Sequence, residues 1–230
     1  MSAYQLYLGD CLEFMRGMDA GSVDAVIADF PYGIDYPYRT YNDTRENLIK
    51  LINSAVPEMR RIAKRVAIFC GVNNLQLYPV ADWTIAWYWK GTNTYGMYGI
   101  NQWQPIVLYG KDVSGFGSVN GVLKSDAIYY EGGNCDELKH FDDHPCPKNV
   151  GIMRRLIAGI TSDYDTVLDV TMGSGTTGVA CMQLGRNFIG CEIDPNYYAI
   201  AERRIRDAAA QLPLPEMHAP KIEAIQEAML

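Results

Sequence analysis

A chain of 230 residues, 48% hydrophobic and 11% aromatic, holds enough apolar material for one large α/β domain with a sizeable core. No apolar run approaches the roughly eighteen residues of a membrane span, and Met1 to Leu8 lacks the basic-then-apolar order of a secretory signal. The formal charge of -7 excludes a uniformly basic surface, so any contact with phosphates needs positive charge gathered on one face.

The charge is indeed segregated. Arg39, Arg45, Lys50, Arg60, Arg61, Lys64 and Arg65 face only Asp43, Glu46 and Glu58 within the same stretch. Lys148, Arg154 and Arg155 form a second basic group, whereas Met1 to Tyr38 is acidic. Six cysteines without repeating spacing read as reduced thiols, which favours a cytoplasmic protein.

In chain order, Tyr4-Gln-Leu-Tyr-Leu8 reads as a strand, and a short helix follows with Cys11, Met15 and Met18 on one face. Val23 to Ala28 has the continuous apolar content of an interior parallel strand, stopped by the Pro31 turn. Glu46 to Lys64 is an amphipathic helix that Pro57 is expected to kink or divide. Val66 to Cys70, Thr84 to Trp89 and Pro105 to Tyr109 are short strands. Asp112 to Phe141 is glycine-rich and polar and reads as an irregular insertion, with Ala127 to Tyr130 as a candidate strand inside it. Helix over Lys148 to Ile160, strand over Thr166 to Asp169, helix over Thr176 to Leu184, strand over Asn187 to Cys191 and helix over Tyr197 to Ala209 complete an α/β alternation. Beyond Gln211, a short amphipathic piece around Ile222, Ile225 and Leu230 is equally consistent with docking and with a mobile end.

Two strand exits carry chemistry. Asp169-Val-Thr-Met-Gly-Ser-Gly-Thr-Thr-Gly178 joins a strand to a helix, and Gly173 and Gly175 permit a tight turn and close approach of backbone to a ligand. Glu192 follows at the end of the next strand, where an acid can accept the ribose hydroxyls of an adenine nucleoside. Alone, this pattern is open to a nicotinamide cofactor, another nucleotide or a structural turn. A phosphate-gripping P-loop is disfavoured, since the Gly-Lys-Ser/Thr ending is missing. The other exit, Ala28-Asp-Phe-Pro-Tyr-Gly33, lies where ligands bind in open parallel sheets. By itself it could be an ordinary strand-to-turn exit.

Together the two exits are specific. Asp169 to Gly178 resembles the cofactor loop of the amino-methylating DNA methyltransferases, Asp-Pro-Phe-Met-Gly-Ser-Gly-Thr-Thr, with Val170 and Thr171 in place of Pro and Phe. Ala28 to Gly33 resembles their Asp-Pro-Pro-Tyr, with Phe30 in place of the first Pro. The resemblance implies S-adenosylmethionine as cofactor, held by Asp29, Asp169, Thr171, Met172, Gly173, Ser174, Gly175, Thr176 and Thr177. Gly185 to Tyr197 resembles the second cofactor segment, with Glu192 on the ribose and Ile193 beside the adenine ring. His144-Pro-Cys-Pro-Lys148 is similar to His-Pro-x-x-Lys-Pro, which puts His144 and Lys148 near the cofactor's amino-acid end. Asp10 resembles the residue near the cofactor adenine, and a cap for the following helix is the equal alternative.

For catalysis, Asp29 and the Phe30 carbonyl are expected to accept the two N–H groups of a base amine, Pro31 to hold Phe30 extended, and Tyr32 to stack on a base removed from the duplex. Any residue offers a carbonyl, so the change at Phe30 spares this chemistry. Transfer is direct, without a covalent intermediate or a metal. Cys135, His140, Asp142, Asp143, His144 and Cys146 lack the paired spacing of a zinc site.

The motif order resembles the permuted β-type group. It implies an α/β S-adenosylmethionine-dependent methyltransferase fold, with a mixed, mostly parallel seven-stranded sheet and helices on both faces. The single domain then divides into a catalytic-motif half (1–111), a target-recognition insertion (112–143), a cofactor-binding half (144–210) and a tail (211–230). Tyr36, Tyr38, Arg39, Arg45, Lys111 and Lys124 are the candidate contacts to double-stranded DNA. The resemblance implies a homodimer, and because the insertion is acidic its second subunit is expected to supply DNA contacts. Adenine N6 is the expected target, because Asp29 with Tyr32 resembles the adenine version. Cytosine N4 is the nearest alternative, and a catalytically weakened binding module is the alternative of another class. A restriction endonuclease partner is left open.

Overall fold

Alternation of side chains along the central strands decides which helices cover which face. The computed structural model describes residues 3–89, 95–96, 99–110, 118–119, 122–123, 126–130 and 148–211. Eight strands form one sheet: β1 (Tyr4–Leu8), β2 (Val23–Asp29), β3 (Ala63–Phe69), β4 (Trp83–Trp89), β5 (Trp103–Tyr109), β6 (Ala127–Tyr130), β7 (Thr166–Asp169) and β8 (Asn187–Glu192). Their spatial order is β1-β8-β7-β2-β3-β5-β4-β6. Every pairing is parallel except those of β5 with β3 and β4, so β5 alone runs against the rest.

On β2, Ala25 and Ile27 point to one face, whereas Val26 and Ala28 point to the other. β3 repeats the pattern, with Ala67 and Phe69 opposite Val66 and Ile68. Strands buried on both faces read as continuous apolar runs, which is what the sequence of β2 displays. The first face is covered by α3 (Val150–Ile160), α4 (Thr176–Leu184) and α5 (Pro195–Ala210). The second is covered by α1 (Cys11–Arg16), α2 (Arg45–Ile62) and the 3₁₀ turn Val72–Leu77.

Three expectations need correction. The sheet has eight strands, because Ala127–Tyr130 pairs in parallel with the outer edge of β4 and buries Ile128 against the core. An edge strand left without a partner would expose a row of backbone donors and acceptors. Pro57 does not divide α2. It is exposed, and so is Asn53, whose carbonyl it cannot satisfy, so water can take over that bond. The helix also stops at Ile62 rather than Lys64, since Ala63 and Arg65 already pair with Val23 and Ala25.

Most of 112–143 lies outside the described residues, apart from β6, Asp126 and a small antiparallel pair, Ser118–Val119 with Val122–Leu123. The tail after Gln211 also lies outside them. No described helix is long and apolar enough to cross a membrane.

Candidate active site

Four neighbouring parallel strands end in carboxylates. β1 leads into Asp10, β8 ends at Glu192, β7 at Asp169 and β2 at Asp29, and all four side chains border one cavity. The carboxyl ends of adjacent parallel strands are where this sheet class binds ligands.

At the end of β2, Asp29 is the hub of a polar cluster. Tyr32 Oη lies 2.5 Å from Asp29 Oδ1, and Lys148 Nζ lies 2.6 Å from Oδ2 and 3.2 Å from Tyr32 Oη. Gln104 Nε2 on β5 donates to Tyr32 Oη, and Asn74 Nδ2 donates to the Tyr32 carbonyl at 2.7 Å. The ring of Phe30 is 1% exposed and packs in the cluster built on α2. Its side chain therefore serves the core and leaves its backbone at the cavity.

Asp43 fixes the next stretch. Its carboxylate is buried and accepts from the N–H groups of Gly33, Ile34 and Tyr36, at 2.6, 3.3 and 3.2 Å. Gly33 has φ +68°, and a Cβ there would come 2.9 Å from Arg45 Cα, so the loop turns where only glycine fits. Past this anchor, Tyr38, Thr40 and Tyr41 line the same cavity as Asp29. Burial, then the charges of Asp29 and Asp43, push the Tyr38 hydroxyl above its ordinary value, so it stays protonated.

The glycine turn sits at the end of β7. Gly175 has φ +81°, and a Cβ would meet Ala201 of α5 at 2.9 Å, so the turn and α5 pack in direct backbone contact. Arg204 of α5 holds the turn through the Ser174 carbonyl and Ser174 Oγ. Asp169 accepts from Thr171 N–H at 3.0 Å and from the Thr177 hydroxyl. Desolvation pushes its carboxyl up to about 7, with Asp29 and Glu192 adding to the rise against these two hydrogen bonds. Glu192 Oε2 accepts from Gly173 N–H at 2.7 Å and Oε1 from Asp194 N–H at 2.9 Å, and burial raises its carboxyl as well.

One bond joins the two exits. The Asp29 N–H donates to Thr171 Oγ1 at 3.1 Å. Thr171 thus ties the glycine turn to the end of β2.

The expected site residues divide as follows. Asp10, Asp29, Phe30, Pro31, Tyr32, Lys148, Asp169, Thr171, Met172, Gly173, Ser174, Thr176, Thr177, Glu192 and Ile193 border one cavity, and Gly175 supports it from behind. Asp10 also caps α1, accepting from Leu12 and Glu13 N–H, so the two alternatives for it coexist. Lys148 sits in the Asp29 cluster at the end of β2. Of the candidate DNA contacts, Tyr36 and Arg39 lie exposed on the loop, Tyr38 turns into the cavity, and Arg45 is bound to Asn74 Oδ1 at 3.0 Å. His144, Lys111, Lys124 and the Cys135–Cys146 group lie outside the described residues.

Gln104, Asn74, Asp43, Arg204 and Tyr197, the last of which also lines the cavity, are not among the expected site residues. Gln104 had a readable signal, a lone amide inside the apolar strand Trp103-Gln-Pro-Ile-Val-Leu-Tyr109. The described cysteines are free, and burial pushes the Cys11 and Cys70 thiols up to about 12, which leaves them poor nucleophiles.

Comparisons with known proteins bear on the family and the fold. The E. coli K12 protein called DNA adenine methyltransferase YhdJ is 26% identical over 243 residues, covering 86% of this chain and 81% of that one. Type II methyltransferase M.HpaI of Haemophilus parainfluenzae is 23% identical, covering 87% and 74%. Among solved structures, the M1.HpyAVI–SAM complex superposes with a TM-score of 0.68 at 24% identity, covering 88% of this chain and 98% of that one. The PvuII DNA methyltransferase, described as cytosine-N4-specific, gives 0.69 at 15% identity, covering 91% and 92%. The fold is thus that of the S-adenosylmethionine-dependent methyltransferases, as expected apart from the eighth strand. The DNA methylase description matches residues 23–203, from β2 through the glycine turn into α5, and the chain belongs to this N6/N4 DNA methylase family.

Proposed function

We propose that the chain transfers a methyl group from S-adenosylmethionine to the N6 amino group of adenine in double-stranded DNA. The observation that carries this reading is the one cavity shared by Asp29 and the Met172–Thr177 turn, bridged by the Asp29–Thr171 bond.

The cavity suits that cofactor. Its described border has four carboxylates, Asp10, Asp29, Asp169 and Glu192, against the cation of Lys148. An acidic rim favours a ligand with sulfonium and ammonium charges. Glu192 is held in place by two backbone donors, and each of its oxygens keeps a lone pair for a ribose hydroxyl. Ile193 flanks the adenine, and Lys148 with His144 serves the amino-acid end. When bound, S-adenosylmethionine supplies an electrophilic methyl group.

The chain's task is to prepare the amine. A base amine is a weak nucleophile, because its lone pair is shared with the ring. Asp29 and the Phe30 carbonyl accept its two N–H groups and align the lone pair, and the proton lost on alkylation leaves by way of the Asp29 carboxylate. Tyr32 offers its ring for stacking on the extruded base. Tyr36 and Arg39 lie on the exposed side of the same loop and are assigned to the DNA backbone. Adenine is favoured over cytosine by the pairing of Asp29 with Tyr32, and the adenine methyltransferase of E. coli, matched over most of both chains, supports that choice.

Incubation with unmodified double-stranded DNA and isotopically labelled cofactor, followed by nucleoside mass analysis, tests the proposal. N6-methyladenine supports it. N4-methylcytosine would move the assignment to the other base, and cofactor binding without either product would leave a binding module.

A further inference from the structure

Outside both motifs, one buried amide reaches the partner of the reacting carboxylate. Gln104 lies on β5, 9% exposed, in a strand that otherwise buries Ile106, Val107, Leu108 and Tyr109. A buried amide in such a strand requires a partner, and its Nε2 finds Tyr32 Oη at 2.5 Å.

Counting protons fixes the polarity of that contact. An ionised carboxylate only accepts, and an ammonium only donates. The single proton of the Tyr32 hydroxyl therefore belongs to Asp29 Oδ1, while the oxygen receives Lys148 Nζ and the Gln104 amide. Were Gln104 to present its carbonyl instead, it would compete with Asp29 for the tyrosine proton.

We propose that Gln104 is a positioning residue for methyl transfer, donating to Tyr32 from within the sheet so that the tyrosine proton stays on Asp29 Oδ1. Oδ2, which holds only the flexible Lys148 among these donors, is then the oxygen offered to the substrate amine. The proposal rests on the reading of Asp29 as the amine acceptor. Tyr32 is held through its hydroxyl by Gln104 and Asp29, and through its carbonyl by Asn74, so it is fixed at both ends. Lys148 reaches Oδ2 on a flexible four-carbon stem, and it is the donor able to yield. The amine replaces one donor with another at Oδ2, and the carboxylate never loses a hydrogen bond. A fixed Oδ1 also sets the plane of the carboxylate, and with it the direction from which the amine must approach.

Three single variants and one double variant test this. Gln104→Glu introduces a carboxylate that takes the tyrosine proton, Gln104→Met fills the space and does neither, and Tyr32→Phe removes the relay. The readouts are kcat, KM for DNA, the cofactor Kd, and the carboxyl-carbon NMR titration of Asp29 without DNA. Gln104→Glu should lower kcat by on the order of a hundredfold, with the cofactor Kd changed less than about twofold. The Asp29 titration should move to higher pH, because a hydrogen bond donated to a carboxylate favours its charged form. Gln104→Met should cost about tenfold or less. In a Tyr32→Phe background, Gln104→Glu should cost no more than about twofold in kcat, and its effect on the titration should shrink. The NMR titration needs no product, so it separates a failure of this relay from a failure of the methylation reading. An Asp29 titration unmoved by Gln104→Glu, or an equal kcat loss with and without the tyrosine hydroxyl, overturns the proposal.

Discussion

The two strand exits that meet in the cavity are built on opposite plans. The exit of β7 draws most of its partners from nearby: Asp169 is satisfied by Thr171 and Thr177, eight positions apart at most, Glu192 reaches Gly173 from 19 positions away, and Arg204 reaches Ser174 from 30. The exit of β2 borrows its partners from across the chain. Asn74 reaches Tyr32 from 42 positions away, Gln104 from 72, and Lys148 reaches Asp29 from 119. A turn held locally can be recognised from a short motif. One held remotely shows its partners only after the sheet has assembled.

The sharpest way to break this comparison is to remove the hub of the borrowed site. Asp29→Ala should lower the single-turnover methyl-transfer rate by on the order of a thousandfold, since it removes an acceptor used in the transition state. The cofactor Kd, measured by calorimetry, should change by less than about threefold. An equal loss in both quantities would show that the two exits are not functionally separable.

The exit of β7 carries a cost of its own, which pH exposes. Asp169 has a folded-state value of about 7 against an ordinary 3.8, chiefly through desolvation. A carboxyl raised on folding makes the folded state bind the extra proton. Its contribution is therefore neutral below about 4, becomes destabilising as pH rises from there toward 7, and stays fully destabilising above, by on the order of a few kcal/mol. Asp169→Asn removes that titration. Its stability relative to the unmodified chain, followed by denaturant melts, should improve steadily between pH 4 and pH 7. A flat difference across that window would sink the assignment.

Next in size is Glu192, which ties the end of β8 to the glycine turn through Gly173 N–H. Glu192→Ala should raise the cofactor Kd by about ten- to a hundredfold while kcat at saturating cofactor falls much less. This is the converse of the Asp29 result, and an unchanged Kd would refute the ribose role.

The same contrast explains what could be read beforehand. Both exits, the order of most elements and the acid at the end of β8 follow from apolar periodicity and short motifs, because each depends on neighbours in sequence. β6 is only a candidate from its sequence, because four residues, Ala127–Tyr130, owe their strand state to the open edge of β4 rather than to their own pattern. Asp43 passed as one acid in a basic stretch. Its role depends on three backbone N–H groups that turn toward it only once Gly33 has adopted its positive φ. Arg204 was hidden likewise, since α5 must dock before its guanidinium meets Ser174.

The smallest expected effect separates two arginines that the sequence placed in one class. Both are exposed, but Arg39 lies beyond the Asp43 anchor, whereas Arg45 begins α2 and spends a guanidinium N–H on Asn74, which in turn holds the Tyr32 carbonyl. Arg39 is then a surface charge and Arg45 a piece of the scaffold. A phosphate contact shows in the salt dependence of DNA binding, so Arg39→Ala should reduce the slope of log affinity against log salt by about one while kcat holds. Arg45→Ala should leave that slope unchanged and instead lower kcat by about two- to fivefold, through a looser Tyr32. Equal changes in slope would place both guanidinium groups on the DNA and return Arg45 to the class from which its bond to Asn74 removes it.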